Sequence, residues 1–348
     1  LLERGDFGAG STARGAGGVR QQFTTEVNVR VGMLSRQLLE RFSEEVGASA
    51  DLRQIGYLFV ATDADQMAQL ERNVAMQHRV GLQDVRLVSR DDASGLVPDL
   101  NVSDVVGGSY CPSDGIAGPN EVTWGYVAAA RRHGAAVFEG VNVEAIERDG
   151  QHVTAVTAAG ARISTPMVVN CAGPYAAAIG EMAGVEVPVR PFRRHIFITE
   201  EFALHPDPPF TVDMRTSFYF HPEGNGMLLG MSDPAEPSSF DTTVDWGFLE
   251  HLVEHATHRL PPLEQAAIKT GWAGLYEVSP DNQAIVGESN LRGFWLCCGF
   301  SGHGFMQAPA VGLLLAQEIT GSGSDIDLSP FRPDRFANGQ STPETAII

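Results

Sequence analysis

Apolar positions recur along this chain in two rhythms. Over residues 26–46, Val27, Val31, Leu34, Leu38, Leu39 and Phe42 fall three or four apart, which keeps their side chains on one face of a helix. Residues 65–80 repeat the pattern with Met67, Leu70, Val74 and Met76, and Pro119-Asn120 opens a further helix that runs to His133. Denser, shorter runs at 57–61, 85–88, 192–199, 216–221 and 227–230 read as strands. Segments 136–146, 152–157 and 161–164 alternate as a small antiparallel unit, with Asp149-Gly150 as its turn signal. Residues 246–259 read as a helix closed by Pro261-Pro262. The run 167–171, ended by Ala172-Gly173, suits a strand buried on both faces of a parallel sheet. Residues 293–299 give a strand, followed by a glycine-rich turn and a helix over about 308–319. Leu1-Leu2-Glu3 reads as the end of a buried strand, and the polar tail from Ala337 as disordered.

Mixed strands and helices with late parallel-type units place the chain in the α/β class, a doubly wound domain interleaved with a β-rich one. A length of 348 residues with 43% hydrophobic content suffices for two domains. The net charge of −19 repels phosphate backbones and anionic headgroups, which sets nucleic acid aside as a partner. No stretch approaches the roughly 20 apolar residues of a membrane span, and a soluble cytoplasmic protein is expected. Cys111, Cys171, Cys297 and Cys298 have neither zinc-site nor Cys-x-x-Cys spacing and are read as reduced core thiols. Candidate metal ligands are none.

Three segments carry candidate chemistry. Gly299-Phe-Ser-Gly-His-Gly-Phe305 lies between a strand and a helix, where bare backbone and a helix N-terminus favour an anionic or electron-rich ligand. Glu3 ends a strand, as does the carboxylate that binds ribose hydroxyls in doubly wound nucleotide folds. The run from Gly10 to Arg20 is rich in small residues and would let backbone lie against a flat ring system, with Arg14 and Arg20 at hand. Each has an ordinary reading as well, as a βα turn, a surface glutamate and a flexible loop.

The segments Gly10-Ser-Thr, Gly18-Val-Arg-Gln-Gln-Phe23, Asn170-Cys-Ala-Gly173, Trp272-Ala-Gly-Leu-Tyr276 with Ser279-Pro-Asp281, and Gly299 to Met306 occur together and in order. In this the chain resembles the D-amino-acid-oxidase-like flavoproteins, nearest the beta subunits of proline dehydrogenase and sarcosine oxidase. The resemblance implies an FAD-binding, glutathione-reductase-like domain over 1–46, 118–189 and 286–348, and a substrate domain over 47–117 and 190–285. It implies that Glu3 and Arg4 meet the adenosine, that Val143 meets the adenine, and that Ala172 and Gly173 pass close to the dinucleotide. Ser11, Thr12, Gly17 and Gly18 would approach the flavin, and Gly302, His303, Gly304 and Phe305 would line its polar edge. Arg20 matches the arginine that pairs with substrate carboxylate, a task suited to a planar fork of donors. Tyr219, Tyr276 and His303 would complete the pocket.

The family opens with a strand, a Gly-x-Gly-x-x-Gly turn and a helix that binds the pyrophosphate, and this first βα unit is read as missing here. Single-chain sarcosine oxidases tether flavin through a cysteine and activate oxygen with a lysine, where this chain has Gly274 and Leu228. Met306 also stands where they carry a lysine, and the single lysine, Lys269, lies elsewhere. The resemblance therefore implies noncovalent FAD and a hydride transfer from a secondary amino acid such as proline or sarcosine. Electrons would leave to an accepting partner subunit rather than to oxygen. D-amino acid or glycine oxidation is an alternative, as is a noncatalytic scaffold subunit.

Overall fold

The structure is a computed structural model that describes residues 1–346. In chain order the first elements are β1 (Gly18–Val19), α1 (Glu26–Glu40), α2 (Phe42–Glu45), β2 (Tyr57–Ala61), α3 (Ala64–Arg79), β3 (Arg86–Val88), α4 (Arg90–Leu96), β4 (Gly107–Cys111), β5 (Gly115–Ile116) and α5 (Pro119–Arg132). There follow β6 (Val143–Asp149), β7 (His152–Ala158), β8 (Ala161–Ser164), β9 (Val168–Asn170) and α6 (Ala176–Ala183). The rest are β10 (Arg190–Thr199), β11 (Phe210–Asp213), β12 (Tyr219–Glu223), β13 (Gly226–Met231), α7 (Trp246–Arg259), β14 (Ile268–Val278), β15 (Ile285–Glu288), β16 (Phe294–Cys298) and α8 (Gly304–Thr320).

Local chemistry sets many of these ends. Asp63 caps α3 by accepting from the Gln66 amide, and Ser89 with Asp92 forms a reciprocal capping box on α4. Pro119 occupies the first turn of α5, where its missing N–H costs nothing. Gly184 and Gly321 end α6 and α8 in the left-handed conformation.

The dominant layer is an eight-stranded sheet in the order β14-β10-β13-β12-β11-β2-β4-β3. Side chains alternate between its faces. One face, with Leu58, Val60, Phe197, Phe220, Leu229 and Met231, packs on Ala93 of α4 and on Phe248, Leu252 and Ala256 of α7. The other carries Tyr57, Phe59, Ile196, Phe210, Val212, Tyr219 and Leu228. A second layer is smaller: β9 pairs parallel with β16, β16 antiparallel with β15, and Leu2 forms a parallel bridge with Phe138. β6, β7 and β8 form a separate three-stranded sheet against α6.

Several expectations are corrected. The helix over 26–46 is interrupted at Arg41, whose φ of −94° and ψ of 11° are not helical. Residues 136–142 form no strand beyond the Phe138 bridge. β9 is an edge strand with Val169 exposed, since β16 is its only partner among the described residues. Cys111 and Cys298 are buried, but Cys171 is exposed and Cys297 half-buried, so two of the four thiols are not core. Residues 338–346 run back onto the fold and bury Glu344 completely.

Candidate active site

One face of the large sheet forms the wall of the site. β10 runs against β14 with Phe192 opposite Tyr276, Arg194 opposite Gly274 and Ile196 opposite Trp272. Residues paired across strands share a face, so Arg194, Trp272 and Tyr276 project to the same side. Gly230 of β13 pairs with Ile196 and with Tyr219, and a Cβ at Gly230 would stand 2.2 Å from the Tyr219 ring. On the same side Tyr57 stacks on Phe210 at 4.2 Å, and Phe210 stacks on Tyr219 at 5.4 Å and on His221 at 4.9 Å. Burial pushes the Tyr57, Tyr219 and Tyr276 hydroxyls up, so all three stay protonated donors at neutral pH.

Arg20 follows β1, which is held by pairing with β5. Its side chain is 1% exposed and lies over the Phe23 ring at 4.3 Å. Nη1 donates to the Gln22 carbonyl at 2.6 Å, Nη2 lies 3.0 Å from His303 Nε2, and Nε has no partner. Beside it Asp114 accepts from the Gln21 amide, from Gln21 Nε2 and from Gln22 Nε2. Burial still lifts Asp114 to about 6. Arg20 makes no ion pair among the described residues, so a buried guanidinium with a free donor stands ready for an anion.

His303 sits at the start of α8 in the glycine-rich turn. Burial first, and the Arg20 charge second, drive its imidazole down to about 3, so it is neutral. Gly302 has φ +92°, and a Cβ there would lie 2.3 Å from the Tyr276 ring, so only glycine lets turn and wall meet. Glu277, next to Tyr276, points the opposite way: it receives the Phe300 amide at 3.3 Å, and a Cβ at Gly173, which has φ +55°, would stand 3.5 Å from its carboxylate. Burial raises Glu277 to about 7, and its Oε2 has no partner. Gly304 opens α8 with its first-turn amides uncapped by any side chain.

The remaining candidates occupy surrounding positions. Ser11 donates to the Leu275 carbonyl at 2.7 Å, and the turn containing Thr12 packs on β14, where a Cβ at Gly274 would meet Arg14 at 2.9 Å. Gly17, with φ +70°, takes the amide of Ala117 on its carbonyl, and Gly18 lies against Phe210. Glu3 accepts from the Gly5 amide at the exposed end of the Leu2 bridge, and Arg4 stacks on Tyr175 at 3.7 Å. Val143 begins β6, and Ala172 donates its amide to Asn170 at 3.1 Å. Phe305 turns away into a cluster with Val19, Leu39 and Phe42.

This donor set fits a dinucleotide. Bare glycine backbone at Gly173 and Gly302, an uncapped helix N-terminus at Gly304 and unpartnered buried atoms on Arg20 and Glu277 gather around the end of β14 and the glycine-rich turn. A family model described as "DAO: FAD dependent oxidoreductase" matches residues 1–318. The chain belongs to this family.

Other members are similar over most of this chain's length. It is 30% identical to mitochondrial sarcosine dehydrogenase of Mus musculus over 97% of its own length, while spanning 38% of that protein. Glycine oxidase of Geobacillus kaustophilus is 27% identical, with 95% of this chain and 89% of that one covered. The crystal structure of L-proline dehydrogenase from P. horikoshii superposes with a TM-score of 0.91 at 32% identity, covering 98% of this chain and 91% of that one. The chain is thus of an FAD-dependent family of amino-acid and amine oxidoreductases. No helix among the described residues is long and apolar enough to cross a membrane.

Sequence reasoning did not single out Tyr57, Arg194 or Glu277. Arg194 lies over the Tyr276 ring at 5.2 Å with Nε buried and unpartnered. Its only sequence signal was an arginine at a position that alternates inward with Ile196 and Ile198.

Proposed function

We propose that this member of the FAD-dependent family oxidises the carbon–nitrogen bond of a secondary amino acid of the proline or sarcosine type, with FAD held noncovalently. The observation that supports the reading is the buried Arg20–His303 pair, a guanidinium with no carboxylate partner among the described residues, whose charge reaches the Tyr57 and Tyr276 hydroxyls of the wall. Arg20 would hold the substrate carboxylate. The tyrosine rings exclude water and lie along the substrate's apolar side, and neutral His303 accepts from Arg20 and fixes the fork's orientation. When bound, FAD supplies the hydride acceptor. Glu3, Arg4 and Val143 would hold its adenosine, Ala172 and Gly173 its pyrophosphate, and the turns at Ser11–Gly18 and Gly302–Phe305 its flavin.

A division of the chain into a nucleotide unit (1–46, 118–189, 286–348) and a substrate unit (47–117, 190–285) is supported by the large sheet, every strand of which lies in the second set, although β5 of that set pairs with β1 of the first. Among the described residues Leu2 pairs with Phe138 alone and β9 with β16 alone.

Electrons would pass to an accepting partner rather than to oxygen. Leu228 and Met306 are buried and apolar, and Lys269, the single lysine, is exposed on β14, so no lysine ammonium stands at the site to stabilise reduced oxygen. The deciding measurement reduces the FAD-loaded protein with proline or sarcosine and compares reoxidation by an artificial dye and by air. Faster oxidation by the dye is expected, and equal rates would refute the dehydrogenase reading. A protein that neither retains FAD nor is reduced by either substrate would refute the enzyme reading.

A further inference from the structure

Arg20 makes one contact that the substrate reading does not use. Residues 341–346 run back across the fold and end on its guanidinium, where Nη2 donates to the Ala346 carbonyl. The segment is anchored along its length. Ser341 donates to Asp281 Oδ2 at 2.7 Å, the Thr342 carbonyl receives Gln283 Nε2 at 3.0 Å, and the Glu344 amide donates to the Asp281 carbonyl at 3.0 Å. Asp281 is itself fixed by a buried ion pair with Arg335 at 2.8 Å.

Glu344 is the centre of the attachment. Its carboxylate is fully buried and accepts from the Thr24 amide at 3.1 Å, Thr24 Oγ1 at 2.6 Å, Thr25 Oγ1 at 3.3 Å and Asn28 Nδ2 at 2.9 Å. Thr24 Oγ1 also takes the Thr345 amide at 3.2 Å, and Glu344 Oε1 takes the Ala346 amide at 2.9 Å. These bonds turn the chain so that the Ala346 carbonyl faces Arg20. Thr345 and Ala346 then wall a cavity of about 80 Å³ whose other sides include Gln22, Asn73, Gln77 and Ser217. Gln77 Oε1 is buried without a partner.

A carbonyl oxygen and a carboxylate oxygen compete for the same N–H donor. We propose that residues 341–346 are a strap that occupies the substrate-carboxylate position on Arg20, with Glu344 as the positioning residue that latches it. The inference rests on the reading of Arg20 as the carboxylate-binding residue. Strap seating and carboxylate binding exclude one another, so the observed affinity is the intrinsic one reduced by the fraction of molecules with the strap released. Glu344 thereby sets how much substrate is needed to open the site, while taking no part in the bond-breaking step.

The test uses pyrrole-2-carboxylate, a planar carboxylate that lacks an oxidisable ring carbon, on the full chain by calorimetry, with hydrogen exchange followed over residues 341–346. Glu344→Gln keeps the shape of the latch and removes its charge, and Thr24→Val removes a hydroxyl that bonds both Glu344 and Thr345. Both variants are expected to bind the probe about tenfold more tightly and to lower KM for proline with kcat unchanged. In the unsubstituted protein the probe should speed exchange over the strap. Equal or weaker binding in both variants, or slower exchange on adding the probe, would overturn the strap. Arg20→Lys separates the two readings. If its affinity for the probe is unchanged, Arg20 is not the carboxylate site and the strap proposal falls with it. If binding depends on Arg20 but neither latch variant alters it, the strap alone fails.

Discussion

Arg20 Nη2 and His303 Nε2 lie 3.0 Å apart, both buried. A guanidinium can only donate, so Nε2 accepts and the imidazole carries its proton on Nδ1. That arrangement holds the fork still without neutralising it. The positive charge remains available to a ligand.

Replacing Arg20 by lysine keeps the charge but loses the planar fork and the contact geometry to Gln22 and His303. KM for proline or sarcosine should rise about tenfold, and for Arg20→Ala about a hundredfold or more. Steady-state kinetics checks this. An unchanged KM in Arg20→Ala would remove the residue from the site.

Stability should fall in mild acid. His303 and His221 are pushed down by burial, to about 3 and about 4. Both are neutral in the fold, whereas in the unfolded chain they take protons below about pH 6.5. Their contribution is therefore complete above that pH and is lost as pH falls towards their folded values, at up to about 1.4 kcal/mol per pH unit for each group. Urea midpoints across this range should decline, and less steeply in His221→Gln.

Glu277 shows the opposite sign. Burial raises it to about 7, so the fold favours its protonated form, and it costs stability as pH rises through that value. Glu277→Gln should raise the melting temperature of the FAD-free protein at about pH 8 and leave it nearly unchanged at about pH 5. A lower melting temperature at the higher pH would show that the charge is compensated by a partner.

Gly302 is the tightest point between the turn and the wall. Alanine there combines a positive φ with a contact of 2.3 Å to the Tyr276 ring, and should cost about 2–4 kcal/mol in denaturant unfolding. A loss below about 0.5 kcal/mol would mean that the turn shifts freely.

Much of this was legible in the sequence where local chemistry acts alone. The helix Trp246–Arg259 was read with its stop at Pro261-Pro262, which prevents its continuation, and the structure adds Asp245 as the cap of its start. Periodicity could not see the interruption at Arg41, since Phe42 stays in phase with the apolar stripe. The strand read over 216–221 begins instead at Tyr219, after Ser217 at φ +58°. β14, the longest strand, was missed because Gly271 and Gly274 break its alternation, and both are glycine for tertiary reasons, facing Phe197 and Arg14. In the site, the glycine-rich turn and Arg20 stood out by composition. Tyr57 and Arg194 come from strands remote in sequence, and only the sheet order brings them to one wall. The tail was misread because polarity suggests solvent, whereas Glu344 is buried through its own set of donors.

The alternation along the large sheet separates two kinds of evolutionary latitude. His195 and Phe197 face the helices, where His195 Nε2 receives the Asp245 amide at 3.0 Å and its ring stacks on Phe248 at 5.0 Å. Arg194 and Ile196, their immediate neighbours, face the site. A lineage can therefore exchange residues at every second position and encounter new substrates while the helix-facing positions go on specifying the same scaffold. A substitution at one position of β10 bears on the site and at the next on the scaffold, so a change of specificity need not cost folding.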